Sequence, residues 1–199
     1  MIEIEKKFHL SAEQQKRLLD GAMFISEKQV SDTYFDNKTF DLTTKDWWLR
    51  NRNGDFELKV ALTDHDMRVI NQYNEITDEE EIRTKLNLPK TNSLHDDIIT
   101  SGFLPFVNCT TTRRKYKKDN FTIDLDEVEY DSDFDYNIAE IEIAFEKEED
   151  KQSAIDSILE FAKKHNLTDE PVRGKVIEYL LEKKPNHYQA LVEAGVVKE

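Results

Sequence analysis

The chain begins with Met1-Ile2-Glu3-Ile4-Glu5-Lys6-Lys7-Phe8. Because side chains alternate between the two faces of a β-strand, this stretch predicts a strand with one apolar face and one charged face. The charged face carries Glu3, Glu5 and Lys7. The same alternation recurs in stretches that often hold charges of one sign: Arg50-x-Arg52, Glu57-x-Lys59, Arg113-x-Lys115-x-Lys117, Asp124-x-Asp126 and Glu140-x-Glu142. We therefore interpret these stretches as a set of strands in which acids and bases are sorted.

The composition indicates one folded domain over residues 1–199. A chain of 199 residues can bury a substantial core. Eleven Phe, seven Tyr and two Trp argue against disorder, although 35% of the residues are charged. The formal net charge of -14 opposes binding to nucleic acid or to an anionic membrane. We expect neither as a partner, and a polyanionic ligand would need a local basic patch.

The N-terminus and the cysteine content predict a soluble cytoplasmic protein, which we expect to be a monomer. Met1 leads directly into a strand pattern, without the basic and apolar regions of a secretory signal. No apolar run approaches the roughly 20 residues that span a bilayer. Cys109 is the single cysteine, so no intrachain disulfide can form. We expect it to be a buried strand residue rather than a nucleophile.

The remaining patterns predict an α+β protein. Capping signals such as Ser11 with Gln14 and helical spacing of apolar residues predict helices at 11–21, 77–86, 92–101, 150–165, 171–181 and 186–194. Alternation predicts about eight strands, at 1–9, 31–36, 46–52, 55–62, 67–76, 105–117, 120–130 and 137–146. The short connections favour antiparallel pairing.

The ordinary interpretation of such strands places the apolar face on the core and the charged face in water. However, like charges two residues apart on a strand lie ~6.6 Å apart and repel by roughly 2.5 kcal/mol at an effective dielectric of ~20. A bound divalent cation would relieve that repulsion. We therefore predict a closed antiparallel eight-stranded β-barrel with a charged interior and helices packed outside.

The ordered motifs resemble those of the CYTH superfamily, also called triphosphate tunnel metalloenzymes. The stretches that carry the resemblance extend from Ile2 to about Leu191: Glu3-x-Glu5-x-Lys7, Asp32–Asp36, Trp48–Arg52, Glu57–Lys59, Thr111–Arg113, Ile123–Asp126, Glu140–Glu142 and Lys175 with Tyr179-Leu180. The resemblance implies a closed eight-stranded tunnel in which many members hydrolyse triphosphates with a divalent metal. Residues 82–105 and 115–120 match poorly, and Phe35 stands where a second Tyr is expected. These departures leave the preferred triphosphate open.

The resemblance assigns the acids to metal binding. Hard oxygen ligands suit Mg²⁺, with Mn²⁺ as an alternative. The candidate ligands are Glu3, Glu5, Asp124, Asp126, Glu140 and Glu142. Asp126 alternatively supports the other acids without contacting the metal, and whether one or two ions bind stays open.

The bases are expected to hold the phosphates. Arginine suits this role because its planar fork bonds phosphate oxygens in pairs. The candidates are Lys7, Arg50, Arg52, Arg113 and Lys175. We interpret Lys115 and Lys117 as residues of a solvated face.

Lys59 and Tyr34 are the predicted catalytic residues. In the family the matching lysine is implicated in catalysis, and Tyr34 stands at the position of a tyrosine near it. Such a pair could transfer a proton or stabilise the leaving diphosphate oxygen. This role is implied by the resemblance.

Trp48 is the predicted specificity residue. Alternation places it on the face of Arg50 and Arg52, while Trp47 faces the opposite side and is expected in the core. A tryptophan can stack on a flat cationic ring, and the resemblance points to the thiazolium of thiamine.

The predicted function is therefore a Mg²⁺-dependent hydrolase that converts thiamine triphosphate to thiamine diphosphate and phosphate. The alternatives are an inorganic triphosphatase with the same residues, an adenylate cyclase, and a non-catalytic acidic module that binds divalent cations or phosphorylated metabolites.

Overall fold

The computed structural model describes residues 2–61, 73–145, 151–168 and 170–197. This part of the chain forms eight strands, six α-helices and one short 3₁₀ helix at Thr43–Lys45. The strands are β1 (Ile2–Phe8), β2 (Met23–Asp36), β3 (Trp47–Arg52), β4 (Asp55–Ala61), β5 (Tyr73–Ile76), β6 (Leu104–Lys118), β7 (Phe121–Tyr130) and β8 (Asp135–Phe145). The helices are α1 (Ala12–Leu19), α2 (Glu79–Leu86), α3 (Leu94–Thr100), α4 (Lys151–Lys164), α5 (Lys175–Lys183) and α6 (Pro185–Glu193). The α+β prediction is confirmed.

All eight strands form a single antiparallel sheet in the order β1-β8-β7-β6-β2-β3-β4-β5. The sheet is curled, with β1 and β5 at its two edges. Over the described residues, no pairing joins these two edges, so barrel closure stays a prediction. Side chains from β1 and from β5 nevertheless line the same cavity.

Local sequence explains where the elements begin. The predicted capping box of α1 is present, since Ser11 Oγ accepts from Gln14 N at 3.2 Å and Ser11 N donates to the Gln14 side chain at 2.9 Å. Asp78, rather than the predicted Thr77, caps α2 by accepting from Glu81 N at 2.9 Å. Both residue types can fill an N-cap, and here the aspartate does so.

Two predicted boundaries were wrong. β2 begins at Met23 rather than 31, because Met23–Val30 pairs along β6 in spite of weak apolar alternation. α5 begins at Lys175 rather than Pro171. The hydroxyls of Tyr136 and Tyr130 donate to the carbonyls of Arg173 and Lys175, each at 2.7 Å, and hold this segment against the sheet.

Apolar strand faces are covered by helices on the convex side of the sheet. Ile4, Ile123 and Ile141 pack with Ile158 of α4 in one buried cluster. Leu49 and Leu58 belong to a second cluster, which includes residues of α2 and α3. The prediction that apolar faces turn outward beneath helices is confirmed for these elements.

The helices α5 and α6 correct the prediction that all helices lie outside. Leu180 and Leu191 pack with Val107, Val128 and Ile138. These strand residues lie on the concave face, which also carries the charged side chains, because residues an even number apart on a strand share a face. The two helices therefore occupy one end of the concave surface, and the charged cavity occupies the rest. No helix in the described ranges is long and apolar enough to cross a membrane.

Candidate active site

The concave face of the sheet encloses a cavity of ≈ 350 Å³. Its wall is rich in charge of both signs. The bases are Lys7, Arg50, Arg52, Lys59, Arg113, Lys115 and Lys175, and the acids are Glu5, Glu75, Asp126, Glu140 and Glu142. The described wall thus carries more bases than acids, although the whole chain has a formal net charge of -14.

The structure brings nearly all of the predicted site residues to this wall. Tyr34 and Trp48 line it together with the charged residues. Asp124 lies directly behind the wall, where its side chain is 2% exposed and contacts Arg113 and Lys115. Glu3 belongs to β1, but its side chain lies outside the described part of the chain. The sorted charges therefore face one shared cavity.

Acids meet one another at the junction of β1 and β8. Glu5 stands opposite Glu142 in the register of these strands, and Lys7 stands opposite Glu140. Like charges in directly opposed positions destabilise an antiparallel pair. Lys7 moderates this repulsion, because its Nζ contacts the carboxylate of Glu5 and lies 3.2 Å from Glu140 Oε1.

Arg113 spans three carboxylates. Its Nε donates to Asp126 Oδ1 at 2.6 Å, its Nη1 to Asp124 Oδ2 at 2.8 Å, and its Nη2 to Glu140 Oε2 at 2.8 Å. Burial opposes ionisation of Glu140, but the charges of Lys7 and Arg113 outweigh it and lower the pKa of Glu140 to about 2. One guanidinium thereby orients Asp124, Asp126 and Glu140.

Asp124 has an incompletely satisfied carboxylate. Oδ2 receives the Arg113 bond and lies 3.3 Å from Lys115 Nζ. Oδ1 is buried and has no hydrogen-bond partner among the described residues. Burial raises the pKa of Asp124, although Arg113 and Lys115 act in the opposite direction.

The bases on the opposite wall are oriented by Asp32, which is 1% exposed. Arg52 donates from Nε to Oδ1 at 2.7 Å and from Nη2 to Oδ2 at 2.9 Å. Lys175 Nζ donates to Oδ2 at 2.7 Å and to Thr111 Oγ1 at 2.9 Å. Arg50 Nε lies 4.0 Å from Oδ1. One buried carboxylate therefore connects three of the predicted phosphate ligands.

Sequence reasoning included Asp32 in a matching stretch but gave it no role. Asp32 and Tyr34 are two residues apart and therefore share one strand face. This pattern could have identified Asp32 as a site residue. Glu57, which accepts from Arg50 Nε at 2.8 Å, carried the same signal through its alternation with Lys59.

Lys59 is held from the neighbouring strand. Its Nζ lies 2.5 Å from Glu75 Oε1 and 5.9 Å from the centre of the Tyr73 ring. Neither partner was predicted, although Tyr73 and Glu75 alternate within the predicted strand 67–76. Of that strand, residues 67–72 lie outside the described residues. Lys59 also stands opposite Trp48 across β3 and β4.

Tyr34 belongs to a different neighbourhood from Lys59. It stands opposite Arg50 across β2 and β3, so β3 separates it from β4. Burial opposes the charge of Arg50, but Tyr34, Asp32 and Glu57 outweigh it and raise the pKa of Arg50. No hydrogen bond between Tyr34 and Lys59 occurs among the described residues. Their joint action in catalysis stays a prediction.

The two tryptophans face opposite sides, as predicted. Trp48 lines the cavity and is 7% exposed. Its Nε1 donates to Asp46 Oδ1 at 2.6 Å. Trp47 packs at the edge of the cluster that contains Leu49, where Lys85 Nζ lies 4.9 Å from its ring centre.

The other sequence interpretations have mixed outcomes. Lys115 lines the cavity, so its assignment to a solvated face was wrong, whereas Lys117 Nζ donates to the exposed backbone carbonyl of Asn120 at 3.0 Å. The difference follows from Lys115 standing opposite Asp124. Cys109 is a buried residue of β6, as predicted, and burial raises the pKa of its thiol.

The donor set fits a hard divalent cation. Carboxylates are the ligands that Mg²⁺ prefers, and a cation would relieve the opposition of Glu5 and Glu142. Within the described part of the chain, the buried Oδ1 of Asp124 is a further unsatisfied acceptor. Over the described residues, no three acids, histidines or cysteines already converge as a metal site. Lys7 and Arg113 hold several of these carboxylates in ion pairs instead.

Comparisons with known proteins agree with this geometry. The family model described as CYTH domain matches residues 1–171. Thiamine-triphosphatase of Macaca fascicularis is 25% identical over 213 aligned residues, covering 100% of this chain and 93% of that protein.

Solved structures share the fold. The PH1819 protein of Pyrococcus horikoshii OT3 superposes with a TM-score of 0.64 at 21% identity, over 92% of this chain and 99% of that one. HpAC1 of Hippeastrum, whose structure is described as revealing a dominant triphosphatase activity, superposes with a TM-score of 0.56 at 15% identity, over 88% and 93% of the two chains. With the family model matching most of its length, this chain belongs to the CYTH domain family.

Proposed function

We propose that this protein is a divalent-metal-dependent hydrolase that converts thiamine triphosphate to thiamine diphosphate and phosphate. The observation that carries the proposal is the cavity wall, where bases outnumber acids in a chain with a formal net charge of -14. Asp32, Glu57 and Asp124 pair with these bases from outside the cavity lining, so a polyanion that enters the cavity meets the bases at short range. An acidic patch beside it suits the cation that accompanies a triphosphate.

The phosphate oxygens are bound by the bases. Arg50 and Arg52 present guanidinium groups that are already oriented by Glu57 and Asp32. Guanidinium forks bond phosphate oxygens in pairs, and preset orientation reduces the entropy lost on binding. Lys175 adds a charge from the first residue of α5. Lys7 and Arg113 stand between the phosphate wall and the acids.

Glu5, Glu140, Glu142 and Asp124 are the residues that would hold the metal, together with Glu3, which strand alternation predicts on the face of Glu5. When bound, a divalent cation would neutralise charge on triphosphate oxygens and would activate water for attack. Asp126, which receives two bonds from Arg113, supports this group by fixing the guanidinium.

Lys59 stabilises the departing oxygen. Water attacks the terminal phosphorus, the bond to the bridging oxygen breaks, and negative charge collects on the thiamine diphosphate that leaves. The ammonium of Lys59 donates to that oxygen, while Glu75 holds the side chain toward the cavity. Tyr34 acts through Arg50, which it faces, or directly on the phosphate chain.

The cavity is the interior of a closed tunnel in this proposal. Burial opposes the charge of Lys7, but Glu140 and Glu5 outweigh it, and a smaller contribution from Tyr73 also raises the pKa of Lys7. Lys7 belongs to β1 and Tyr73 to β5, and both side chains line this cavity, so the two sheet edges face a common space. This arrangement supports closure.

Thiamine is proposed as the organic group because Trp48 lines the cavity beside the guanidinium groups. A flat cationic thiazolium is attracted to an indole face. The relative from Macaca fascicularis, which is a thiamine-triphosphatase, supports the same choice. We further propose a cytoplasmic, monomeric enzyme of thiamine metabolism.

Inorganic tripolyphosphate is the second candidate substrate. Trp48 is only 7% exposed, so the ring face that it offers is small. The charged side chains of this cavity wall can bind inorganic tripolyphosphate through its phosphate oxygens, without a ring stacked on Trp48.

A phosphate-release panel with thiamine triphosphate, tripolyphosphate, ATP and thiamine diphosphate, each with and without Mg²⁺, tests the proposal. We expect Mg²⁺-dependent release from thiamine triphosphate and none from thiamine diphosphate. Trp48→Ala should lower kcat/KM for thiamine triphosphate about tenfold more than for tripolyphosphate, with Trp47→Ala as the matched control. Release from tripolyphosphate alone would establish the second candidate, and conversion of ATP to cyclic AMP would indicate a cyclase.

A further inference from the structure

Asp46 is a buried acid that borders the cavity without lining it. It follows the 3₁₀ helix and directly precedes β3, and its exposure is 0%. Its backbone has a φ of 56°, in the left-handed region that aspartate and asparagine tolerate better than most residues. Its N–H donates to the Thr43 carbonyl at 3.0 Å, which fixes this conformation.

The carboxylate of Asp46 connects two aromatic residues from different strands. Trp48 Nε1 donates to Oδ1 at 2.6 Å. The Tyr73 hydroxyl donates to Oδ1 at 3.1 Å and lies 3.4 Å from Oδ2. Trp48 lies on β3 and Tyr73 on β5, with β4 and Lys59 between them, and all three side chains line the cavity.

We propose that Asp46 is a positioning residue that sets the preference of this cavity for a triphosphate carried on a flat cationic ring. The inference rests on the proposed function and extends it to a residue that does not touch the substrate. The indole has a single hydrogen-bond donor, so its bond to Asp46 fixes the ring plane relative to Arg50 and Arg52. A ring that is already fixed loses little rotational freedom when a ligand stacks on it.

The charge of Asp46 adds a second effect. A hydrogen bond to a carboxylate is stronger than one to a neutral acceptor, and it increases electron density on the indole. Because a cation is attracted by the negative face of the ring, the interaction with a thiazolium is strengthened. Inorganic tripolyphosphate has no ring and gains nothing from either effect. Asp46 should therefore change the ratio of kcat/KM values for the two substrates.

Glycine and asparagine substitutions separate the role of the side chain from backbone strain, because both residues accept a positive φ. Asp46→Gly removes the acceptor, and Asp46→Asn keeps an acceptor oxygen. With Asp46→Gly, we expect the ratio of kcat/KM for thiamine triphosphate to that for tripolyphosphate to fall about tenfold, through KM. Asp46→Asn should restore the ratio to within about threefold of the unsubstituted protein. Equal losses for both substrates, or no rescue by asparagine, would overturn the inference.

A Trp48→Phe background tests whether Asp46 acts through the indole. Phenylalanine cannot donate to Asp46, so adding Asp46→Gly should leave the substrate ratio where Trp48→Phe alone puts it. If Asp46→Gly lowers the substrate ratio in this background by the same factor as in the otherwise unsubstituted protein, the two residues act independently. That result would contradict the proposal.

A Trp47→Phe background gives a readout that does not depend on turnover, because Trp48 is then the sole tryptophan. Asp46→Gly should shift the emission maximum of Trp48 and weaken its quenching by thiamine diphosphate. An unchanged emission spectrum and unchanged quenching would refute the positioning role. If the unsubstituted protein shows neither quenching by thiamine diphosphate nor turnover of thiamine triphosphate, the proposed substrate fails, and the emission shift still reports whether Asp46 positions Trp48.

Discussion

Lys175 and Asp32 are 143 residues apart in sequence, yet the Lys175 Nζ donates to Asp32 Oδ2 at 2.7 Å. The first residue of α5 thereby joins the same carboxylate as Arg52 of β3. This contact places the first residue of α5 at the cavity wall. Because Asp32 lies on β2, that strand supplies the carboxylate that orients both Lys175 and Arg52.

Replacing Asp32 should destabilise the fold. Burial opposes its ionisation, but the bond from Arg52 and the charge of Lys175 outweigh it and hold the pKa of Asp32 well below its usual range. Asp32→Asn would leave these cations without a counter-charge, at a cost of about 3 kcal/mol. Urea unfolding measures this. Glu13→Gln removes the same charge from an exposed pair and should change the free energy of unfolding by less than about 0.5 kcal/mol. Equal stability of the two variants would contradict the role of Asp32.

Lys59→Ala should lower kcat by about 10²–10³-fold with a small change in KM, since it removes a donor used chiefly in the transition state. The fold should persist, because the partner, Glu75, has a side chain that is 50% exposed. Lys117→Ala, at an exposed lysine outside the cavity, is the matched control for steady-state kinetics.

A rise in KM at constant kcat would assign Lys59 to binding alone. The non-catalytic module considered as an alternative predicts no Mg²⁺-dependent phosphate release from either triphosphate in the unsubstituted protein. The two outcomes are therefore separable in the same assay.

Mg²⁺ should raise the melting temperature of the unsubstituted protein. At about 100 times its dissociation constant, an ion that binds only the folded state adds ~2.7 kcal/mol, or roughly 5–10 °C for a chain of this size. Glu142→Gln removes one acid of the opposed pair with Glu5 and should diminish the shift. Glu129→Gln, an exposed acid on β7, should retain it. Thermal unfolding in Mg²⁺ and in EDTA makes the comparison, and full retention of the shift by Glu142→Gln would exclude Glu142 as a ligand.

His187 should make stability fall in mild acid. Its ring is 3% exposed, stacks on Phe40 and lies 2.7 Å from Thr43 Oγ1. Burial, with a smaller contribution from Lys184, lowers the pKa of His187 to about 4. The unfolded chain binds this proton near pH 6.5 and the folded chain does not, so the stabilising contribution is complete above pH 6.5 and is lost toward pH 4. The loss by pH 5 is about 2 kcal/mol.

Unfolding free energies at pH 7.5 and pH 5 test this dependence. His187→Gln should lack the part of the decrease that comes from this proton, whereas His95→Gln, at an exposed histidine, should keep it. Identical pH profiles for the unsubstituted protein and His187→Gln would show that another group is responsible.

The two-residue period was enough to predict which side chains share a face. It separated Trp48 from Trp47 and grouped Glu140 with Glu142, because strand geometry alone fixes this relationship. The hydroxyl and carboxylate partners that orient the site were not predictable in the same way. Asp46 and Tyr73 acquire their roles only when β3 and β5 are brought together.

The sequence also could not predict on which side of the sheet α5 and α6 pack. An amphipathic pattern shows that a helix has an apolar face, but not which side of a sheet will receive it. Leu180 and Leu191 would satisfy that pattern on either side. Their packing on the concave face depends on Val107 and Ile138. These two residues share a strand face with the charged side chains but lie nearer the beginning of their strands.

The alternation of β3 also limits how the gene can change. Trp48, Arg50 and Arg52 face the cavity, while Leu49 faces the helices. Deleting one codon within the strand would therefore turn each later cavity-facing side chain toward the helices, and each later helix-facing side chain toward the cavity. Insertions between α2 and α3, at residues 87–93, would leave every strand in phase. We therefore expect length differences among related genes to concentrate in such connections, with the strands kept free of insertions and deletions.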